Sequence, residues 1–292
     1  MNISSKQIAT CQLASTSPTT QVGAGISLDG RSLTRLNTAR VVNVAMGAGQ
    51  SVAALGFTRS LVGRDLASGG TDIAGVPIVT DAHSVNAEKV LAQHPTVVLA
   101  DAQSTPQTAL KQISDAGVPI VKLPSAWSMQ DIEPRLLAIA TALGDPSRAS
   151  ALRAHCQQSF GAPIAKQLRV AFLYLRGTAA IYLLGGKGSG ADSLISAAGA
   201  VDVGAQAGLK PFTPITPEAM ASLKPDVLLV MTKGLESVGG MTGLRQMTGL
   251  RMTPAVQNQR VISVEDTLLL AFGSQTWALV AAIRQAIEDV TR

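Results

Sequence analysis

Short apolar runs alternate with amphipathic stretches from residue 40 onward, and this alternation predicts a parallel α/β fold. Val41 to Ala45 reads as a buried strand, Gly47-Ala48-Gly49 as a tight turn, and Gln50 to Leu55 as a short helix stopped by Gly56. Leu61-Val62-Gly63 is a second strand. Gly75 to Ala100 then supplies a strand at Val76 to Val79, a loop carrying His83, a helix opening at Asn86 and a buried strand at Thr96 to Leu99. A helix over Thr105 to Ala116, a strand at Val118 to Leu123 and a helix over Ser128 to Leu143 follow. The pattern then restarts at Arg169 to Leu173, with strands at Ala180 to Leu184, Val227 to Met231 and Arg260 to Val264 and a terminal helix from Gln275.

The second half repeats the grammar of the first. Glu88 precedes Pro95 by seven residues, as Glu218 precedes Pro225, and each proline leads into an apolar run. GVPIV occurs at Gly75 to Val79 and again at Gly117 to Val121. The expected divisions are an irregular tail over 1–39, an N-terminal lobe over 40–145, an interlobe helix over 146–168 and a C-terminal lobe over 169–292. Asp145-Pro146-Ser147 opens that interlobe helix, and Gly161 and Pro163 predict a break in it. Two lobes with parallel sheets joined by one helix leave a crevice between them for a ligand.

Composition narrows the use of that crevice. The 292 residues are 46% apolar and 15% charged, with a net charge of +5, and the Lys and Arg are scattered rather than clustered, which argues against nucleic acid as partner. No window approaches the roughly 18 uninterrupted apolar residues of a membrane span. The two cysteines, Cys11 and Cys156, match no metal or redox spacing, so no structural disulfide is expected. Ile8-Ala9-Thr10-Cys11 before a Ser/Thr-rich spacer is similar to the end of a lipoprotein signal, although no apolar segment precedes it; lipidation of Cys11 stands against a plain disordered tail.

The motifs favour binding over catalysis. Gly47-Ala48-Gly49 lacks the third glycine of a dinucleotide fingerprint, and GGKGSG at 185–190 lacks the Lys-Ser/Thr pair of a phosphate loop, so both read as turns. Neither a nucleophile elbow nor a zinc-protease helix is present. His83 stands between a strand end and a helix start, where an open α/β sheet meets its ligand, though a lone loop histidine is more often a solvated surface residue. His94 and His155 read as structural or solvated. Tyr174 and Arg176 fall two apart at a strand end, which puts a cation beside a phenol and favours phenolate, a ligand suited to ferric iron. The alternative is a packed tyrosine beside a solvated arginine, and Tyr182 is the competing phenol.

With ARVVNVAMGAGQSVAALGF, LVGRDLASGG, GVPIVTDAHSVNAEKVLAQHPTVVLAD, QISDAGVPIVKLP and RVAFLYLRGTAAIYLLGGKGSGADSLISAAGAVDV in view, the chain resembles the haem-binding substrate-binding proteins of bacterial haemin ABC transporters, in particular the actinobacterial type. The resemblance implies an extracytoplasmic, cell-surface or periplasmic monomer that grips ferric protoporphyrin IX between two Rossmann-like lobes and catalyses nothing. It assigns His83 and Tyr174 as axial ligands with Tyr182 as rival, and Arg176 to the phenolate or a haem propionate. It assigns Glu88 and Glu218 to the arginines of an ABC permease dimer, where otherwise each is an ordinary first-turn acid. A siderophore or cobalamin carrier on the same fold is the alternative within the class, and an α/β enzyme or cytoplasmic haem chaperone the alternative outside it.

Overall fold

The computed structural model describes residues 1–8, 11–16, 22–81, 84–156, 167–177, 182–269 and 271–292. Its strands, in chain order, are β1 (Asn2–Ile3), β2 (Val22–Ile26), β3 (Ser32–Asn37), β4 (Val41–Asn43), β5 (Leu61–Gly63), β6 (Thr80–Asp81), β7 (Ser84–Val85), β8 (Val97–Ala100), β9 (Ile120–Lys122), β10 (Arg169–Leu175), β11 (Tyr182–Leu184), β12 (Val201–Asp202), β13 (Thr213–Pro214), β14 (Val227–Met231) and β15 (Val261–Val264). The fold is the expected two-lobed α/β architecture. One lobe holds a parallel sheet in the order β5-β4-β8-β9. The other repeats that order as β12-β10-β14-β15, also parallel.

The second sheet is mixed rather than purely parallel. β11 runs antiparallel to β10 over Leu173 to Leu175, on the edge whose first residues pair with β12, and β13 pairs antiparallel with β11. An antiparallel partner after a tight connection is a hairpin, and its alternation signal is too short at Tyr182–Leu184 to separate from a crossover strand.

The duplication extends to individual hydrogen bonds. Arg40 N donates to Thr96 Oγ1 at 3.0 Å and Thr96 N to Arg40 O at 2.8 Å. Arg169 N donates to Asp226 Oδ2 at 3.0 Å and Asp226 N to Arg169 O at 2.8 Å. The Arg40 side chain donates to the carbonyls of Gln93 and His94, and that of Arg169 to the carbonyl of Leu223, so each guanidinium covers the negative end of the helix ahead of its lobe's central strand. His94 and Lys224, the residues before Pro95 and Pro225, both take left-handed conformations, with φ of 48° and 45°. His94 is thus a helix-ending residue, as expected.

Three regions depart from the sequence reading. The stretch assigned as an irregular tail contains β1, paired parallel with β15, and the β2–β3 hairpin, which packs on β9 and on the helix Ile132–Ala142. Buried Ile3, Ile8 and Leu36 anchor it, and apolar residues that sparse leave no periodic signature. Cys11 and Cys156 form a disulfide, against expectation. Their separation of 145 residues is a tertiary fact that local spacing does not carry, and it leaves Cys11 without a free thiol for lipid. The strand expected at Val76 to Val79 is an irregular segment with a single bridge from Ile78 to Arg64.

Of the expected interlobe helix, Ser147–Cys156 is described; Gly161 and Pro163, where a break is expected, lie outside the described residues. One apolar cluster runs through both lobes, from Val41 and Leu99 to Phe172, Phe272 and Trp277. Met129 N donates to Ser193 Oγ across the boundary at 2.9 Å, and Ser274 N to Ser51 Oγ at 3.3 Å.

Candidate functional site

The glycine turn after β4 is filled from within. Gly47 N donates to Asp65 Oδ2 at 3.0 Å and Gly49 N to Ser68 Oγ at 2.8 Å, so the donors that would hold a pyrophosphate are already engaged. Gly47 has φ 66°, and a Cβ there would collide with Ala271 of the other lobe. Burial pushes the Asp65 carboxyl up, against the hydrogen bonds from Gly47, Ser68 and Ala67 that favour its anion. In the second lobe GGKGSG closes on itself, with Gly188 N donating to Asp192 Oδ2 at 2.8 Å. Both turns are structural.

The loops at the carboxyl ends of β4, β8 and β9 are riveted by a buried ion pair. Arg135 Nη2 donates to Asp101 Oδ2 and to Met46 O, each at 2.9 Å, and Arg135 Nη1 to Pro124 O at 2.7 Å. Met46 N, Gln103 N and Ser104 Oγ donate to the same carboxylate. This network fixes the approach of half-buried Trp127 toward the other lobe, where its carbonyl lies over Gly190 beside Phe272. Arg135 lies in the buried stripe of its helix with Ile132, Leu136 and Ile139, and periodicity alone does not name the carboxylate that it meets there.

His83 lies outside the described residues, as does Ala82. The strands that flank them in sequence, β6 and β7, pair antiparallel. Asp81 accepts from Asn86 Nδ2 at 2.7 Å and pairs with Lys89, and these two partners hold its carboxyl below the usual carboxylate range, Lys89 first. Asn86 Oδ1 caps the helix Ala87–Leu91 through Lys89 N at 3.0 Å. Glu88 stands exposed in the first turn of that helix. Glu218 stands exposed in the first turn of Pro217–Leu223, which Thr216 caps and Pro217 opens. The two acids occupy matching places.

The two phenols face opposite ways. In the β10–β11 ladder Leu175 is opposite Tyr182 and Tyr174 is opposite Leu183, and opposed residues share a face while neighbours alternate. Tyr182 is buried with Leu173, Leu175 and Met220, and its hydroxyl has no partner among the described residues. Burial, reinforced by the charge of Glu218, pushes its phenol up, away from phenolate. Tyr174 is half-buried on the other face, edge-on to Phe212 at 5.8 Å between ring centres, and Phe212 is in turn edge-on to Phe172 at 6.4 Å. Phe212 was not among the expected site residues. Its position just before β13 contacts Tyr174 only because β11 intervenes between them in the sheet. Arg176 is exposed one residue beyond β10, and no hydrogen bond joins it to Tyr174 among the described residues. Those residues contain no cluster of three or more His, Cys, Asp or Glu able to hold a bare metal ion.

The sequence pattern of the periplasmic binding protein family matches residues 41–268. The chain belongs to that family. This periplasmic binding protein is therefore a binding component rather than an enzyme. It is similar to solved structures of the heme binding protein HmuT; an arginine-to-alanine variant of HmuT is 30% identical with a TM-score of 0.80, covering 94% of this chain and 90% of that one. Histidine and tyrosine variants of the same protein also match. The periplasmic heme-binding protein RhuT from Roseiflexus sp. RS-1 is 32% identical with a TM-score of 0.77, covering 87% of this chain and all of that one. BhuT in complex with two hemes is 28% identical with a TM-score of 0.77, covering 87% and 99%. Comparison with curated protein sequences found no match.

Proposed function

We propose that this protein captures ferric haem between its lobes and delivers it to the permease dimer of an ABC importer, outside the cytoplasm. The observation that carries the reading is Tyr174, a half-buried phenol on an aromatic ledge at the carboxyl end of β10, in a chain 28–32% identical to haem-binding proteins. The tyrosine and arginine replaced in the HmuT variants stand two positions apart, which is the spacing of Tyr174 and Arg176. Tyr174 serves as the axial phenolate and His83 as the ligand from the other lobe. Arg176 hydrogen-bonds the phenolate oxygen or a propionate once cargo is seated. Tyr182 is not a ligand in this reading, because its hydroxyl is buried on the opposite face. Glu88 and Glu218, repeated at matching helix starts, engage permease arginines. The Cys11–Cys156 disulfide suits an oxidising compartment.

Ligation replaces the phenolic proton with iron, so affinity falls as the solution is acidified. Titration of the apoprotein with haemin, followed in the Soret band and in the ferric charge-transfer region, tests the assignment. Tyr174→Phe is expected to remove the phenolate charge-transfer band and to weaken binding by about tenfold or more. His83→Ala is expected to weaken binding separately, and Tyr182→Phe to leave the spectrum as in the wild type. A wild-type spectrum indifferent to haemin would end the proposal.

A further inference from the structure

Residues 1–8 lie on one lobe and residues 11–16 on the other. At the C-terminal lobe, Ser263 N donates to Met1 O at 2.9 Å and Glu265 N to Ile3 O at 2.8 Å, which makes β1 an added strand beside β15. Ser5 N donates to Glu265 Oε2 at 2.7 Å, and Ile3 and Ile8 are buried in the shared core. At the N-terminal lobe, Leu13 N donates to Ala54 O at 2.8 Å and Thr16 N to Gly56 O at 2.9 Å. Gly56 has φ 89°, and a Cβ there would run into Ala14 O and the Arg148 guanidinium, so the segment lies flush on this turn. Arg148, on the interlobe helix, donates to both Ala14 O and Leu55 O and rests over the Phe57 ring at 5.6 Å. Midway, Cys11 is bonded to Cys156 on the same interlobe helix.

We propose that this segment is a strap, locked by the Cys11–Cys156 disulfide, that ties the lobes together in addition to the chain connection after Cys156 and keeps the cargo cleft preformed. A chain connection and a shared apolar contact still leave two bodies some freedom to twist and bend. A tie attached at a separate point on each body removes part of that freedom. The disulfide pins the strap to the helix Ser147–Cys156, so its contacts at β15 and at the Ala54–Gly56 turn cannot be released by peeling from the centre. A preformed cleft binds without the cost of ordering, which slows escape of whatever it holds. The statement about the cleft rests on the haem reading; the statement about the tie does not.

Hydrogen exchange of the apoprotein, oxidised and after reduction with a phosphine, tests the tie. Reduction is expected to speed exchange at least tenfold at the Ser263, Glu265, Leu13 and Thr16 amides, which bond to or lie in the strap, and to leave the β8 amides unchanged. Unchanged exchange at Ser263 and Glu265, or equal acceleration of all amides, would overturn the tie. Glu265→Gln keeps the disulfide and weakens the Ser5 contact together with a local one from Thr267 Oγ1; it is expected to give the same pattern at smaller amplitude, which covers the case in which reduction unfolds the chain. For the cleft, haemin release into excess apomyoglobin is compared between wild type and the Cys11→Ser, Cys156→Ser double variant. Several-fold faster release supports the strap's role, and equal release with altered exchange overturns it. If haemin shifts neither spectrum, the haem reading fails and the tie stands or falls on exchange alone.

Discussion

The two lobes share a frame and differ at the place where it is extended. Each has four parallel strands in one order, an arginine at the first strand's start that covers the end of a helix, and an acid in that helix's first turn. β4 stops after three residues, whereas β10 runs for seven, because β11 folds back along it and satisfies its edge. With Arg40 matched to Arg169, Val41–Asn43 corresponds to residues 170–172, so Tyr174 sits wholly on the extension. The shared frame carries the exposed acids at equivalent places, and the addition carries the phenol. On the proposed function, the duplicated fold keeps its symmetry at the acids assigned to the permease and breaks it at the phenol assigned to the cargo.

The largest test of the comparison lies just past the third strand, where the first lobe has Asp101 paired with Arg135 and the second has Thr232, whose hydroxyl donates to Asn2 Oδ1 at 3.0 Å. Arg135→Met strands a buried carboxylate and is expected to cost about 3 kcal/mol in urea unfolding, against about 1 kcal/mol for Thr232→Val. Equal losses would mean that the two sites do the same job. Next comes the acid near the second strand of each lobe. Asp65 accepts from Asn43 Nδ2, Gly47 N, Ala67 N and Ser68 Oγ, whereas Asp202 Oδ1 accepts from Ala205 N at 2.6 Å and Oδ2 has no partner among the described residues.

Burial, with a smaller push from Asp192, raises the Asp202 carboxyl from an ordinary 3.8 to about 6. The folded state therefore holds this proton more tightly than the unfolded one. The resulting loss of stability is absent below about pH 4, grows through the window up to about pH 6 and is complete above it. Asp202→Asn should remove it, gaining about 2 kcal/mol at pH 7 relative to pH 4, while Asp65→Asn, which replaces one accepting oxygen by an N–H group facing its present donors, should lose stability. Thermal unfolding across pH reads both, and a flat wild-type profile in that window would count against the Asp202 argument. The smallest effect belongs to the shared caps: Arg40→Ala and Arg169→Ala should each cost about 1 kcal/mol and add independently. A marked inequality would show that the matched hydrogen bonds are not matched in energy.

The sequence displays the frame because a frame is built from local rules. The Glu-to-Pro spacing, the apolar runs of β8 and β14 and the helix opening at Asn86 are all short-range, and each is found where it is expected. What escapes is long-range. The Cys11–Cys156 bond, β1 beside β15, the Asp101–Arg135 rivet and the contact of Phe212 with Tyr174 each join residues tens to hundreds of positions apart, and no periodicity encodes such partners. The orientation of Tyr174 and Tyr182 is of the same kind. Both read as strand phenols, and only the antiparallel register of β10 with β11 shows that they face opposite layers.

The first 37 residues also act as edging for the whole molecule. β9 and β15 are corresponding strands, the last in each four-stranded set, and each would end its set with a row of unsatisfied peptide groups. β1 closes the row on β15, and Ser27 at the end of the hairpin bridges to Val121 on β9. A chain begun at Arg40 would keep both sets of strands yet present two adhesive borders, and self-association through them would compete with folding.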